Sequence, residues 1–233
     1  YDEIELVTDG VYTGCNVLEN ISKTMKYLES IDWAGSDKCG IHIHCGRIGG
    51  LKTRTVARLF RFLIKTEDII YSFLPESRRD SSFSKPLNKY LDDFTDYMVN
   101  QPPKMVDYFK SKDMLEDALR KLDMDGGSRR EFGFNARVFF SQDHVEFRYF
   151  DSDYMYLPVY IDLIAQLMNK VRNYRTGQLD EMVDRIKTGN EKEQVFNFVE
   201  VLGLSEYSKD KIMDKYYNKH NINEEESEVE EQM

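Results

Sequence analysis

EFGFNARVFFSQDHVEFRYF, residues Glu131 to Phe150, decides the fold class. Two runs rich in Phe, Val and Tyr flank the turn-forming residues Ser141 to Asp143, so the stretch reads as a β-hairpin. Side chains alternate across a strand, which sets Val145, Phe147 and Tyr149 on one face and Glu146 and Arg148 on the other. Arg130 stands at the start of the first run, and Asn135 and Arg137 lie within it. A hairpin with one apolar face belongs to an antiparallel sheet packed against helices.

A third strand is read at CGIHIHCG, Cys39 to Gly46, where Ile alternates with His between glycines. Cys39, Ile41, Ile43 and Cys45 share one face, and His42 and His44 the other. The two cysteines and two histidines therefore cannot converge on one zinc ion. If this strand joins the hairpin sheet, His42, His44, Glu146 and Arg148 share a polar surface. Such a mixture suits a divalent metal beside phosphate, with imidazole and carboxylate on the metal and arginine on phosphate oxygens. The plainer reading is a pair of solvent-facing histidines and an ordinary cross-strand ion pair.

Helical periodicity surrounds these strands. It predicts helices over 16–30, 53–73, 87–99, 105–122 and 154–174, then a small helical region over 178–187, 192–202 and 207–217. PESRRDSSFSKP, Pro75 to Pro86, is loop by composition. Arg54, Arg58, Arg61 and Lys65 line one side of the second helix as a basic stripe, either solvated or facing phosphate. Strands alternating with helices, then a hairpin, give an α+β fold: an antiparallel sheet carrying the site, packed with helices, plus a small helical carboxyl-terminal region. The division expected is 1–175 for the main domain, 176–220 for a helical appendage, and 221–233 for an acidic, disordered tail.

Composition limits the function. The 233 residues carry 41% hydrophobic and 13% aromatic side chains, enough for a substantial core. Net charge is −10, and six glutamates fall between Glu224 and Glu231, so nothing favours nucleic acid as a partner. Three cysteines without paired spacing fit a reducing compartment, and no apolar run approaches the ~20 residues of a membrane span. The chain begins at Tyr1 inside a strand-like segment, DEIELVT, so upstream sequence is expected to be missing.

CGIHIHCG, SRRDSSFSKP and RREFGFNARVFFSQDHVEFRYFD, in that order and preceded by IELVT, resemble the amidoligase family over roughly residues 1–175. Its members are carboxylate–amine ligases of the glutamine synthetase and glutamate–cysteine ligase fold, frequent in bacteria and their phages. The resemblance implies ATP and Mg²⁺ or Mn²⁺ as cofactors, a carboxylate and an amine as substrates, and a cytoplasmic setting in a bacterial or phage-infected cell. It implies His42, Glu146 and Glu5 as metal ligands, and His44 and Arg130 beside the ATP phosphates. Arg148 would stabilise the transferred phosphoryl group, and Arg78 or Arg79 would contact the acyl substrate or phosphate. Family members also carry an amino-terminal G-x-E-x-E strand, and none precedes IELVT here. Either an upstream segment is expected to hold the carboxylates of that strand, or they are lost and the alternative to a ligase applies: an inactive relative acting as an assembly or virion structural protein, with the helical carboxyl-terminal region meeting its partner.

Overall fold

A computed structural model describes residues 16–36, 39–46, 50–79, 81–82, 84–90, 92–122 and 132–220. The expected strand at Asp2–Thr8, with Glu3 and Glu5, lies outside the described residues, as do Arg130 and the acidic tail. The chain forms two compact units, 1–34 and 35–233. The first contains helix α1 (Asn16–Ser30), which buries Ile21 and Leu28 one above the other at helical spacing.

The second unit is α+β. Strands β1 (Ile41–Cys45), β2 (Phe134–Asn135) and β3 (Val145–Phe150) make an antiparallel sheet in the order β1-β3-β2. His44 pairs with Glu146 and Ile43 with Phe147 across β1 and β3, while Asn135 pairs with Glu146 and Phe134 with Phe147 across β2 and β3. Paired residues share a face, so this register separates a polar surface from an apolar one. Phe134, Val145, Phe147 and Tyr149 are all essentially inaccessible.

The hairpin expectation needs correction. Its first arm is a two-residue strand, and the connection to β3 is a short helix, α8 (Arg137–Gln142). The Asn135 side-chain oxygen accepts the Arg137 N–H at 2.9 Å, which turns the chain out of the extended state. Arg137 is thereby helical. The chain closes α8 through Asp143, left-handed at φ 61°, and enters β3.

Helix α2 (Thr53–Ser72) runs through the core and is buried on nearly every side. Around it lie α3 (Glu76–Arg79), α4 (Leu87–Tyr90), α5 (Asp92–Asn100), α6 (Pro103–Val106) and α7 (Lys112–Leu122), shorter pieces than periodicity predicted. Pro102 and Pro103 explain one break, since proline starts a helix more readily than it continues one. A 3₁₀ turn (Tyr154–Tyr156) leads into α9 (Leu157–Asn173), then α10 (Thr176–Ile186), α11 (Glu191–Leu202) and α12 (Glu206–His220). Asn190 and Glu193 form a reciprocal capping box at the start of α11. Leu179, Val183, Val195, Phe198, Leu202 and Ile212 join the same hydrophobic cluster as α2 and the sheet, so the region expected as an appendage shares the core.

The basic stripe is neither solvated nor open to phosphate at its centre. Arg58 and Arg61 are buried. Arg58 pairs with Asp107 at 2.7 Å and donates to the Val171 carbonyl. Arg61 makes a two-pronged pair with Asp180 at 2.8 and 2.9 Å and donates to the carbonyls of Met98 and Gln101, while Lys65 reaches Asp180 at 2.7 Å. These charges tie α10 and the loops around α6 to the central helix. Glu67 is buried on the same helix and accepts the N–H groups of Leu87 and Asn88 at 3.0 and 2.7 Å, capping α4. Burial pushes its carboxyl up to about 8 despite those bonds.

Candidate active site

Alternation along β1 and β3, joined by the register above, brings three of the sequence-predicted side chains to a fourth, the Glu146 carboxylate. His42 Nδ1 lies 3.2 Å from Glu146 Oε1, His44 Nε2 3.6 Å from the same oxygen, and Arg148 Nε 3.0 Å from it. Asn135 Nδ2 donates to the other oxygen at 2.7 Å. Glu146 sits on the middle strand, flanked by His44 and Asn135, and is only 6% exposed. Burial acts to raise its pKa. The bonds from His42 and His44, the Arg148 charge and the Asn135 amide together outweigh burial and hold the carboxyl far below the usual carboxylate range. A buried, permanently ionised carboxylate ringed by cationic and donor groups is suited to hold a cation or to orient a phosphate-binding arginine.

The donor types fit a divalent ion in part. Imidazole nitrogens and a carboxylate oxygen converge, yet among the described residues no group of three or more His, Cys, Asp or Glu side chains is arranged to hold a metal. The described cluster therefore offers a partial shell, and Glu5, the further carboxylate expected, lies outside the described residues. Of the described cysteines neither joins the cluster: burial pushes the Cys45 thiol up to about 12, and Cys39 bonds Ser36.

Arg78 and Arg79 are not brought to this cluster. Arg78 is buried, and its guanidinium donates to the carbonyls of Tyr149 (3.1 Å), Cys39 (3.1 Å) and Arg148 (2.7 Å). It bolts α3 to β3 and to the chain leading into β1. Gly40 is required beside it, since a Cβ there would lie 2.6 Å from the guanidinium. Of the pair Arg78 or Arg79 expected to contact acyl substrate or phosphate, Arg78 thus directs its guanidinium to backbone carbonyls. Arg79 pairs with Asp68 at 2.5 Å, over the Tyr71 ring.

Two members of the site were not among the site residues named from the sequence. Asn135 both turns the chain into α8 and holds Glu146. His144 was unassigned, although it stands two residues before Glu146, the spacing that places it on the same side of the chain. Its Nε2 lies 3.1 Å from His44 Nδ1, and its own Nδ1 lies 3.3 Å from the Gln142 carbonyl.

Among the described residues no helix is long and apolar enough to cross a membrane. No curated protein and no solved structure matches the chain. The model of a family of amidoligase enzymes matches residues 2–164, which takes in α1, the whole sheet, His42, His44, His144, Glu146 and Arg148 and ends within α9. By that match over most of its length, the chain belongs to the amidoligase family.

Proposed function

We propose that the chain carries the catalytic site of an ATP-dependent carboxylate–amine ligase that works through an acyl phosphate, on a sheet of the glutamine synthetase kind. The observation supporting this reading is the convergence of His42, His44, Arg148 and Asn135 on the buried Glu146 carboxylate. A carboxylate and an amine do not condense in water, because the carboxylate is a poor electrophile. Transfer of the terminal phosphoryl group of ATP forms a bond from phosphorus to a substrate carboxylate oxygen and breaks the bond to ADP. The amine nitrogen then attacks the acyl carbon, the carbon–oxygen bond to phosphate breaks, and the nitrogen loses a proton. His42 and Glu146 would hold a divalent ion, which neutralises charge on the phosphate oxygens when bound. Arg148, only 15% exposed and braced by Glu146, would meet the charge that develops on the transferring group. His44 borders the same oxygen, and which ring nitrogen carries its proton decides whether it serves the metal or the phosphate. The acyl and amine substrates are small molecules or peptides bearing those groups.

Hydroxylamine trapping tests the reading. With the right acid, the protein should release ADP and phosphate and form a hydroxamate from the intercepted acyl phosphate. Arg148→Ala should cut the yield by about 10²–10³-fold, the usual effect of deleting one preorganised charge-stabilising group, with a much smaller change in KM. Release of AMP, or ATP splitting indifferent to every acid and amine tried, would refute it and favour the inactive assembly protein.

A further inference from the structure

The pairing of β1 with β3 slips once, beside the site. Ile43 faces Phe147 but Ile41 faces Phe150, so two steps along β1 match three along β3. One residue of β3 is extra, and His42 stands opposite both Arg148 and Tyr149. Strict alternation would turn Phe150 to the polar face with Glu146 and Arg148. The bulge instead returns it to the core, stacked on Tyr160 with ring centroids 4.2 Å apart. Arg148 is thus the last β3 side chain on the polar face. It and His42 reach the same Glu146 oxygen, at 3.0 and 3.2 Å.

An extra residue breaks the ladder and takes main-chain groups from their strand partners, which is costly where they are buried. The buried Arg78 guanidinium takes up what this bulge frees. It donates to the carbonyls of Arg148 at 2.7 Å and Tyr149 at 3.1 Å, the two residues facing His42. Its third bond, to the Cys39 carbonyl at 3.1 Å, holds the entry to β1. A planar fork of N–H donors suits such a set, and an ammonium does not. The other edge of β3 is shaped to match. The Arg148 N–H donates to the Gly133 carbonyl at 2.7 Å, and a Cβ on Gly133 would lie 2.2 Å from the Tyr149 ring. Glycine there lets the bulged residue drop its side chain into the core.

We propose that Arg78 is a positioning residue that sets where the bulge falls. By holding the carbonyls of Arg148 and Tyr149 it fixes the β1–β3 register at His42, and with it the aim of Arg148 at Glu146. Without those bonds, unbroken pairing would set Ile41 opposite Tyr149 and Arg148 squarely opposite His42. The consequence for catalysis rests on the function proposed above; the register does not.

Nuclear Overhauser contacts across the strands of the full chain read the register. The unmodified protein should show Ile41 beside Phe150 and Ile43 beside Phe147. In Arg78→Lys, the Ile41 contact should pass from Phe150 to Tyr149 while the Ile43–Phe147 contact stays. Arg78→Ala should do the same, and millimolar methylguanidinium, filling the vacated space, should restore the Phe150 contact. Variants that keep Ile41 beside Phe150 overturn the proposal. So does loss of both contacts together, which would make Arg78 a support of the whole fold and not of the register. Hydroxamate formation by Arg78→Lys should fall about 10²-fold through kcat with KM for the acid little changed, the usual effect of a misplaced reacting group. A shifted register with kcat unchanged overturns the positioning role. No hydroxamate from the unmodified protein with any acid would instead overturn the proposed function and leave the register assignment standing.

Discussion

Replacing Asp180 by Ala should be among the most damaging single changes far from the sheet. Asp180 lies on α10 and meets Arg61 at 2.8 Å and Lys65 at 2.7 Å, with Arg61 only 7% exposed and Asp180 18%. At an effective dielectric of about 20, one such contact is worth roughly 6 kcal/mol before desolvation is subtracted. Removing one partner of a buried pair typically costs about 3–5 kcal/mol, because the remaining charge loses its counterion but stays out of water. Arg61 keeps the carbonyls of Met98 and Gln101, and Lys65 is 20% exposed, so the low end, about 3 kcal/mol, applies here. For a chain of this size that is a fall of roughly 6–12 °C in Tm. Urea unfolding followed by circular dichroism gives the free energy, and calorimetry gives Tm. Replacing all three charges with apolar residues (Arg61→Met, Lys65→Met, Asp180→Leu) should recover most of the loss. Arg54→Ala, on the exposed end of the same stripe, should change stability by less than about 0.5 kcal/mol. The pH dependence carries a sign as well. Burial acts to raise the Asp180 pKa, but its bonds to Arg61 and Lys65 win and lower it. Its contribution is therefore fully present above the ordinary carboxylate pKa and is lost as pH falls through the lowered one. A loss below about 1 kcal/mol for Asp180→Ala, as for a surface pair, would refute the claim that this stripe is buried.

Glu67 should act in the opposite sense. Burial raises it from 4.5 to about 8, so the native state holds more protons between those values and stability should decline as pH rises through that window. Glu67→Gln should flatten the slope in urea melts at about pH 5.5, 7 and 8.5, values spanning that window; an unchanged slope would show that the carboxylate is charged throughout. Arg78→Lys should destabilise the fold by about 2–4 kcal/mol, since one ammonium cannot reproduce three divergent bonds to buried carbonyls. A loss of activity at unchanged Tm would instead make Arg78 a substrate-facing residue.

Period-two alternation in two short stretches sufficed to set His42 with His44, and Glu146 with Arg148, each pair on one strand face. Chemistry confined to local pattern was legible, and so were most helices, whose spacing depends only on neighbours in the chain. The meeting of those two pairs was not. It depends on β1 and β3 aligning with His44 opposite Glu146, and a slip of one residue would turn the histidines to the apolar side. The basic stripe of α2 was misread for a related reason. Charges at helical spacing look the same whether water or another helix covers them, and Asp107 and Asp180 come from distant parts of the chain. Phe132 to Phe140 fits a strand by residue type, yet one side-chain bond from Asn135 bends it into α8. What the sequence determined alone was the face each group occupies; tertiary structure decided which faces meet, because register and burial are set by contacts that no local window contains.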